Sequence, residues 1–458
     1  MKSKVLALIL LCGAASLGAK VKLPALVGDN MILQQQTEVK LWGTAAPEAE
    51  VRVTPSWNGQ TMTCRADKDG GWTLAVETPA AGYTPYEITF DDGEKTTLKN
   101  ILIGEVWLAS GQSNMEMPLK GFAGCCIMNG ADDIIVSAEN KGVRMFTVPK
   151  HQTYELQTDC KGSWNISSIE TAPDFSATAY YFATSLSRAL RIPVGIICSA
   201  YGGSTVEGWI SRELLENYPD ISLNPDSIER LHPMLRPMLM YNAMLKPLQN
   251  YTIKGFIWYQ GEANVSQEAL YPTLQAAMVE DWRIRWRQGY LPFLYVQLAN
   301  FQPRPDAPVR YDAWAAFRDA QTGALSGIPH SGMACTIDIG DAEDIHPRNK
   351  QDVAHRLYRI ARARVYAPES GTVCSGPVFD GLSVEGNRIR IRFRNASGLC
   401  GIGVSPSLEG FAVEDRGGRL HRAGARIEEG KVVVELPEGV DPVRIQLSLI
   451  HISEPTRH

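Results

Sequence analysis

Between residues 20 and about 100 the chain alternates apolar and polar positions in short runs at 39–42, 50–53, 61–65, 72–76 and 86–90, punctuated by Pro and Gly. Period-two alternation predicts half-buried strands, and Asp69-Gly70-Gly71 predicts a hairpin turn. A small β-sandwich follows, with Trp42, Trp57 and Trp72 packed in its core or against a neighbouring domain rather than offered to a sugar. From Ile101 the runs turn apolar on both faces, at 101–109, 143–148, 194–198, 253–259, 293–298 and 333–339. Helical stretches at 176–190, 267–287, 311–325 and 349–365 alternate with them, which predicts an α/β domain with a parallel sheet covered on both sides. In the last stretch Val353, Leu357, Ile360, Ala361 and Val365 recur at helical spacing. Arg356, Arg359, Arg362 and Arg364 take other positions there, as a solvated face or a domain contact. From Ala367 the strand pattern returns at 388–393, 431–436 and 443–448.

The first nineteen residues stand apart: Lys2 and Lys4, an apolar run at 5–11, then small residues through Ala19. That is the order of a secretory signal, and its apolar run falls short of the roughly 20 residues that span a bilayer. An exported protein, periplasmic or extracellular, is expected. The expected organisation is a signal at 1–19, an N-terminal β-sandwich module at 20–100, a catalytic α/β domain at 101–366 and a C-terminal β module at 367–448. Residues 449–458 fit poorly with what precedes them and read as a non-native tail.

Composition narrows the function classes. The 458 residues are 44% hydrophobic and 21% charged, which is globular rather than fibrous or disordered. Lys and Arg total 45 against 50 Asp and Glu, a net charge of -5, so neither nucleic acid nor a membrane surface is an expected partner. The cysteines contain no Cys-x-x-Cys pair, which leaves a structural zinc site or a thioredoxin-like motif without support. Cys198 and Cys335 lie in apolar runs and read as buried thiols.

Ligands of open parallel sheets bind beyond the carboxyl ends of the strands. Four of the runs lead there into Gly111-Gln112-Ser113-Asn114-Met115, Tyr201-Gly202-Gly203-Ser204, Gln260-Gly261-Glu262-Ala263-Asn264 and Asp341-Ala342-Glu343-Asp344-Ile345-His346-Pro347. Acyl transfer needs a nucleophile, a base, an orienting group and oxyanion donors. Ser113 is the candidate nucleophile, His346 the base and Asp344 its orienting carboxylate, which would raise the imidazole pKa. The backbone N–H groups of Ser113 and Gly203 and the side-chain amide of Asn264 are the candidate oxyanion hole. Gln112, Gln260 and Glu262 are candidate substrate contacts on the same rim. The bland alternatives are a capping serine, a surface histidine and a Glu262 that caps a helix or pairs with an arginine. Asp338, Asp341, Glu343 and Asp344 form an acidic cluster that lacks the spacing of a helix-loop-helix calcium site, and no metal is expected.

The blocks 104–115 (Gly-Glu-Val-Trp-Leu-Ala-Ser-Gly-Gln-Ser-Asn-Met), 258–264 (Trp-Tyr-Gln-Gly-Glu-Ala-Asn) and 344–347 (Asp-Ile-His-Pro) resemble the sialate O-acetylesterase family of SGNH hydrolases, over roughly residues 20 to 445. The resemblance implies a flavodoxin-like catalytic domain flanked by β-sandwich-like modules, acting on acetylated sugars without a cofactor. It assigns the four SGNH residues to Ser113, Gly203, Asn264 and His346. In that superfamily the catalytic acid lies three residues before the histidine. Glu343 stands there and Asp344 lies two before, which leaves two candidates for the acid. The expected function is removal of O-acetyl groups from sialic acids through a serine acyl-enzyme, with Arg212, Arg236 or Arg318 offered to the sialate carboxylate. An esterase of acetylated xylan or xyloglucan and a non-catalytic glycan-binding protein are the alternatives.

Overall fold

The structure, a computed structural model, describes residues 20–303, 307–399 and 407–447. The signal-like segment 1–19, Cys400 and the tail 449–458 lie outside the described residues. The N-terminal part consists of β1 (Ile32–Gln34), β2 (Glu38–Thr44), β3 (Glu50–Pro55), β4 (Met62–Arg65), β5 (Gly71–Glu77) and β6 (Gly82–Asp91), leading into β7 (Lys95–Gly111). The central part follows as α1 (Ser113–Glu116), α2 (Gly130–Val136), β8 (Val143–Thr147), β9 (Trp164–Ile166), α3 (Ala177–Leu190), β10 (Val194–Ala200), α4 (Arg212–Leu215), α5 (Pro225–Glu229) and β11 (Gly255–Tyr259). It closes with α6 (Tyr271–Trp286), β12 (Phe293–Val296), α7 (Ala313–Ala324), β13 (Ser331–Ala334) and α8 (Lys350–Ala361). The C-terminal strands are β14 (Val378–Glu385), β15 (Arg388–Arg394), β16 (Leu408–Asp415), β17 (Leu420–Glu428), β18 (Lys431–Glu435) and β19 (Pro442–Leu447).

Strand β7 organises the molecule. Its first residues are partly exposed and it pairs antiparallel with β6 as far as Ile103, whereas from Ile101 to Gly111 it is buried throughout and from Glu105 onward it pairs parallel with β10 and then β11. The compositional change at Ile101 therefore marks the point where the strand enters the interior, and the boundary expected at residue 100 falls inside one continuous strand. The central sheet runs β13-β12-β11-β7-β10-β8-β9, parallel except for β9. Alternation of side chains puts Trp107 on one face, against Phe182 of α3, and Phe256 on the other, against Trp282 and Trp286 of α6. Helices α3 and α8 cover the first face, α6 and α7 the second.

Around β7 the N-terminal sheet of β1, β3, β4 and β6 faces the β2-β5 pair, and their buried residues join the core of the central sheet. Trp42 and Trp72 are buried there, Trp42 edge-on to Tyr251 of the central part. The turn at Asp69-Gly70-Gly71 forms, with Asp67 Oδ1 accepting the Asp69 and Gly71 N–H groups at 2.9 and 2.8 Å. It joins β4 to β5, which belong to different sheets, so it is a crossing turn rather than a hairpin.

Three further expectations change. The run 333–339 is strand only as far as Ala334, and the later Ile337 and Ile339 lie buried and half-buried in a loop, because apolarity reports burial and not strand. Cys335 is exposed, whereas Cys198 is buried. In place of a C-terminal sandwich, the described residues form one antiparallel sheet, β14-β15-β18-β17-β16-β19, with its own core of Ile389, Ile391, Phe411, Val413, Val432 and Val434.

Candidate active site

The end of β7 is clamped between its neighbours. Gly111 pairs with Ala200 and Tyr259, and the Gln112 N–H donates to the Tyr259 carbonyl at 3.0 Å. At Gly111, with φ +142°, a Cβ would lie 2.1 Å from that carbonyl oxygen, so only glycine permits this approach. The chain then turns into α1 with Ser113 as its first residue, half-buried at the carboxyl edge of the sheet.

His346 reaches the same point from the loop between β13 and α8, where its Nε2 lies 3.0 Å from Ser113 Oγ. Its Nδ1 is 3.4 Å from Asp344 Oδ1, and the same oxygen accepts the backbone N–H of His346 at 2.9 Å. Phe122 stands edge-on to the imidazole, with centroids 5.4 Å apart, and the Cys125 thiol lies 3.6 Å from the His346 carbonyl. Of the two acids, Asp344 faces the histidine. Glu343 is exposed and its N–H is taken up by Asp341 Oδ1 at 2.9 Å.

Burial raises the Asp344 pKa, but hydrogen bonds from Cys125 and from the backbone and ring of His346 outweigh it and hold the carboxyl below its usual range. For His346 the balance opposes the expectation. Burial and the nearby Lys350 ammonium lower the imidazole pKa by more than Asp344 raises it.

The N–H groups of Ser113 and Gly203 donate to no protein acceptor among the described residues, and both are available to an oxyanion. Gly203 has φ +73°, and a Cβ there would strike Met234 Sδ at 2.2 Å. The adjacent Gly202 N–H is held by Glu116 Oε2 at 2.5 Å, and Glu116 Oε1 accepts from Lys150 at 2.8 Å.

Asn264 does not join them. Fully buried, it donates to Glu207 Oε2 at 3.0 Å and Gln267 Oε1 at 2.6 Å, so its amide is satisfied inside the protein. The three expected substrate contacts also turn inward. Gln112 Oε1 accepts from Gln260 and from the Gly261 and Ala263 N–H groups, and Gln260 is fully buried between Gln112, Ser204, Asn264 and Tyr271. Glu262 accepts from Asn114, its pKa raised by burial against the lowering effects of Asn114 and Lys350. These side chains brace the loops that carry the site, because the amides after β7 and β11 find their nearest partners in each other.

Sequence reasoning missed Asn114, Glu116, Cys125 and Lys350. Two of them carried a positional signal, since Glu116 follows Ser113 by three residues and Lys350 follows His346 by four. Arg212, Arg236 and Arg318 are occupied elsewhere. Arg212 pairs with Glu216 at 3.2 Å, Arg236 with Glu229 at 2.7 Å, and the buried Arg318 donates to Gln297 at 3.0 Å. Among the described residues no group of three or more His, Cys, Asp or Glu side chains is placed to hold a metal, and Asp338 is engaged by Arg356.

A family model described as a carbohydrate esterase, sialic acid-specific acetylesterase, matches residues 103–354, over half of the chain. The chain belongs to this family. This acetylesterase family member is 28% identical to the sialate O-acetylesterase of Mus musculus over 435 residues, 82% of this chain and 79% of that protein. It is 29% identical to that of Homo sapiens over 406 residues, 81% and 76% of the two chains. Among solved structures it is similar to a carbohydrate acetylesterase from Xanthomonas citri, at TM-score 0.81 and 33% identity over 94% of each chain. The family member is a carboxylic ester hydrolase, with helices on a mixed sheet and an additional C-terminal β module.

Proposed function

We propose that this chain is an exported serine esterase that removes O-acetyl groups from sialic acids, built on a flavodoxin-like SGNH domain. The observation that carries the reading is the relay from Asp344 through His346 to Ser113, with Nε2 3.0 Å from Oγ. Taken in chain order, β10-β7-β11-β12-β13 follows the 2-1-3-4-5 order of flavodoxin-like sheets, with β8 added outside β10. The signal-like pattern of residues 1–19 supports export.

In this mechanism neutral His346 takes the Ser113 Oγ proton through Nε2 as Oγ attacks the acetyl carbonyl. The N–H groups of Ser113 and Gly203 receive the oxyanion. His346 then returns the proton to the departing sugar oxygen, leaving the acetyl group on Ser113. Water, deprotonated by the same imidazole, attacks that ester, and acetate leaves as Oγ is reprotonated. Asp344 holds the ring and balances its transient charge. Lys150 and Arg348 are exposed cations beside the site, the first bonded to Glu116 and the second at the Cys125 thiol, and both suit the sialate carboxylate.

The test is acetate release from O-acetylated sialic acid, acetylated xylan and p-nitrophenyl acetate, side by side. The sialic acid ester is expected to have the highest kcat/KM, and Ser113→Ala to lose at least about 10³-fold on every substrate with its circular dichroism spectrum unchanged. Preference for xylan moves the substrate to plant polysaccharide. Fluorophosphonate labelling at another serine overturns the nucleophile.

A further inference from the structure

Lys350 opens α8 and is fully buried, its ammonium 5.3 Å from the centre of the Tyr259 ring. It forms no salt bridge within 4.0 Å with any described carboxylate and donates instead to Asn114 Oδ1. The Asn114 amide donates on to Glu262 Oε1 and, at 3.0 Å, to the carbonyl of Ile345. Asn114 is the residue after the nucleophile, and the Ile345 carbonyl belongs to the peptide whose N–H is that of His346, itself held by Asp344. One side chain therefore spans from the turn of the nucleophile to the peptide of the base, and a buried lysine fixes its orientation. Glu262 Oε2, at the far end, is buried without a hydrogen-bond partner. A core built for stability alone would favour apolar residues over a lysine that meets an amide oxygen and an aromatic ring but has no carboxylate in contact.

We propose that Lys350 and Asn114 are positioning residues that lock the turn bearing Ser113 to the peptide bearing His346. The inference rests on the serine-esterase reading above. The groups facing Lys350 are Asn114 from α1, Cys125 from the loop between α1 and α2, Tyr259 at the end of β11, Glu262 just after it, and Asp344 and His346. Burial brings the lysine down to about 7 against the opposing pull of Glu262, Cys125 and Asp344, and its ammonium in turn disfavours protonation of His346. The lysine thus has a second effect, keeping the base neutral at lower pH.

The experiment compares Lys350→Met, Asn114→Ala and the double variant on p-nitrophenyl acetate across pH. Each single change is expected to lower kcat about 10- to 100-fold with KM within about twofold. The double variant should be little worse than either, because both break one linkage. In Lys350→Met the acid limb of kcat/KM should also move to higher pH, which a merely structural lysine would not cause. Additive losses, or an acid limb that stays in place, overturn the inference. If Lys350→Met does not fold, Asn114→Ala alone decides it: kcat within about twofold of wild type overturns the linkage. Failure of a fluorophosphonate to label Ser113 in the wild-type enzyme overturns the esterase reading instead, which separates the two failures.

Discussion

At the residue scale, the base and its acid have signs that kinetics can read. In the proposed mechanism His346 acts as base only when neutral, so activity is expected to fall as pH drops through its pKa. Burial and Lys350 hold that pKa below the ordinary value. The acid limb of kcat/KM should accordingly have its midpoint below about 6.5, the unperturbed histidine value; a midpoint above 7 would mean that Asp344 dominates the ring. The two neighbouring acids separate as sharply. Asp344→Asn removes the acceptor beside Nδ1 and should cost up to about 10⁴-fold in kcat, as loss of the orienting carboxylate does in other triads. Glu343→Gln, at an exposed side chain turned away from the ring, should leave kcat within about twofold. Equal losses in the two variants would assign the carboxylate elsewhere.

At the scale of elements, the site depends on how closely β7 meets β11. An alanine at Gly111 would place its Cβ against the Tyr259 backbone carbonyl, an atom that cannot move without the strand. Gly111→Ala is expected to destabilise the protein by about 2–3 kcal/mol, read as a lower urea midpoint, and to lower kcat by displacing Ser113. A variant of wild-type stability would show that the strand end yields. On the other side, α8 holds the loop that carries His346. Arg356 grips Asp338 in bidentate fashion at 2.5 and 2.6 Å and also donates to the Cys335 carbonyl at 2.6 Å. This arginine is a clamp on the loop that carries His346, which an amphipathic pattern alone could not distinguish from a solvated one.

At the scale of the whole molecule, the N-terminal and central sheets share β7 and one continuous core, whereas the C-terminal sheet has a core of its own. All ten tryptophans lie at or before position 314. Tryptophan fluorescence in urea should thus report one cooperative transition for the shared unit, while far-ultraviolet circular dichroism should carry an additional, separate transition from the C-terminal strands. Coincident curves from the two probes would mean that ties such as Arg310 to Glu414, at 2.8 Å, couple the modules into one unit.

What the chain alone determined follows from local and periodic physics. Alternation marked the strands of the N-terminal part, doubly apolar runs marked the parallel sheet, and the ends of those runs carried Ser113, Gly203 and His346. The ends of β7, β10 and β11 are legible because their apolar runs stop where the chain leaves the core, whereas the run before His346 outlasts its strand. What only the tertiary structure decided are the pairings. Asn264, Gln112, Gln260 and Glu262 have the donors and acceptors of site residues, and whether an amide meets a substrate or another amide depends on neighbours more than fifty positions away. Asp344 rather than Glu343 faces His346 because the loop turns one carboxylate towards the ring and the other to solvent. Lys350 stands four residues after His346, yet a lysine in the first turn of an amphipathic helix reads as surface, and only the tertiary structure buries it against Asn114 and the Tyr259 ring.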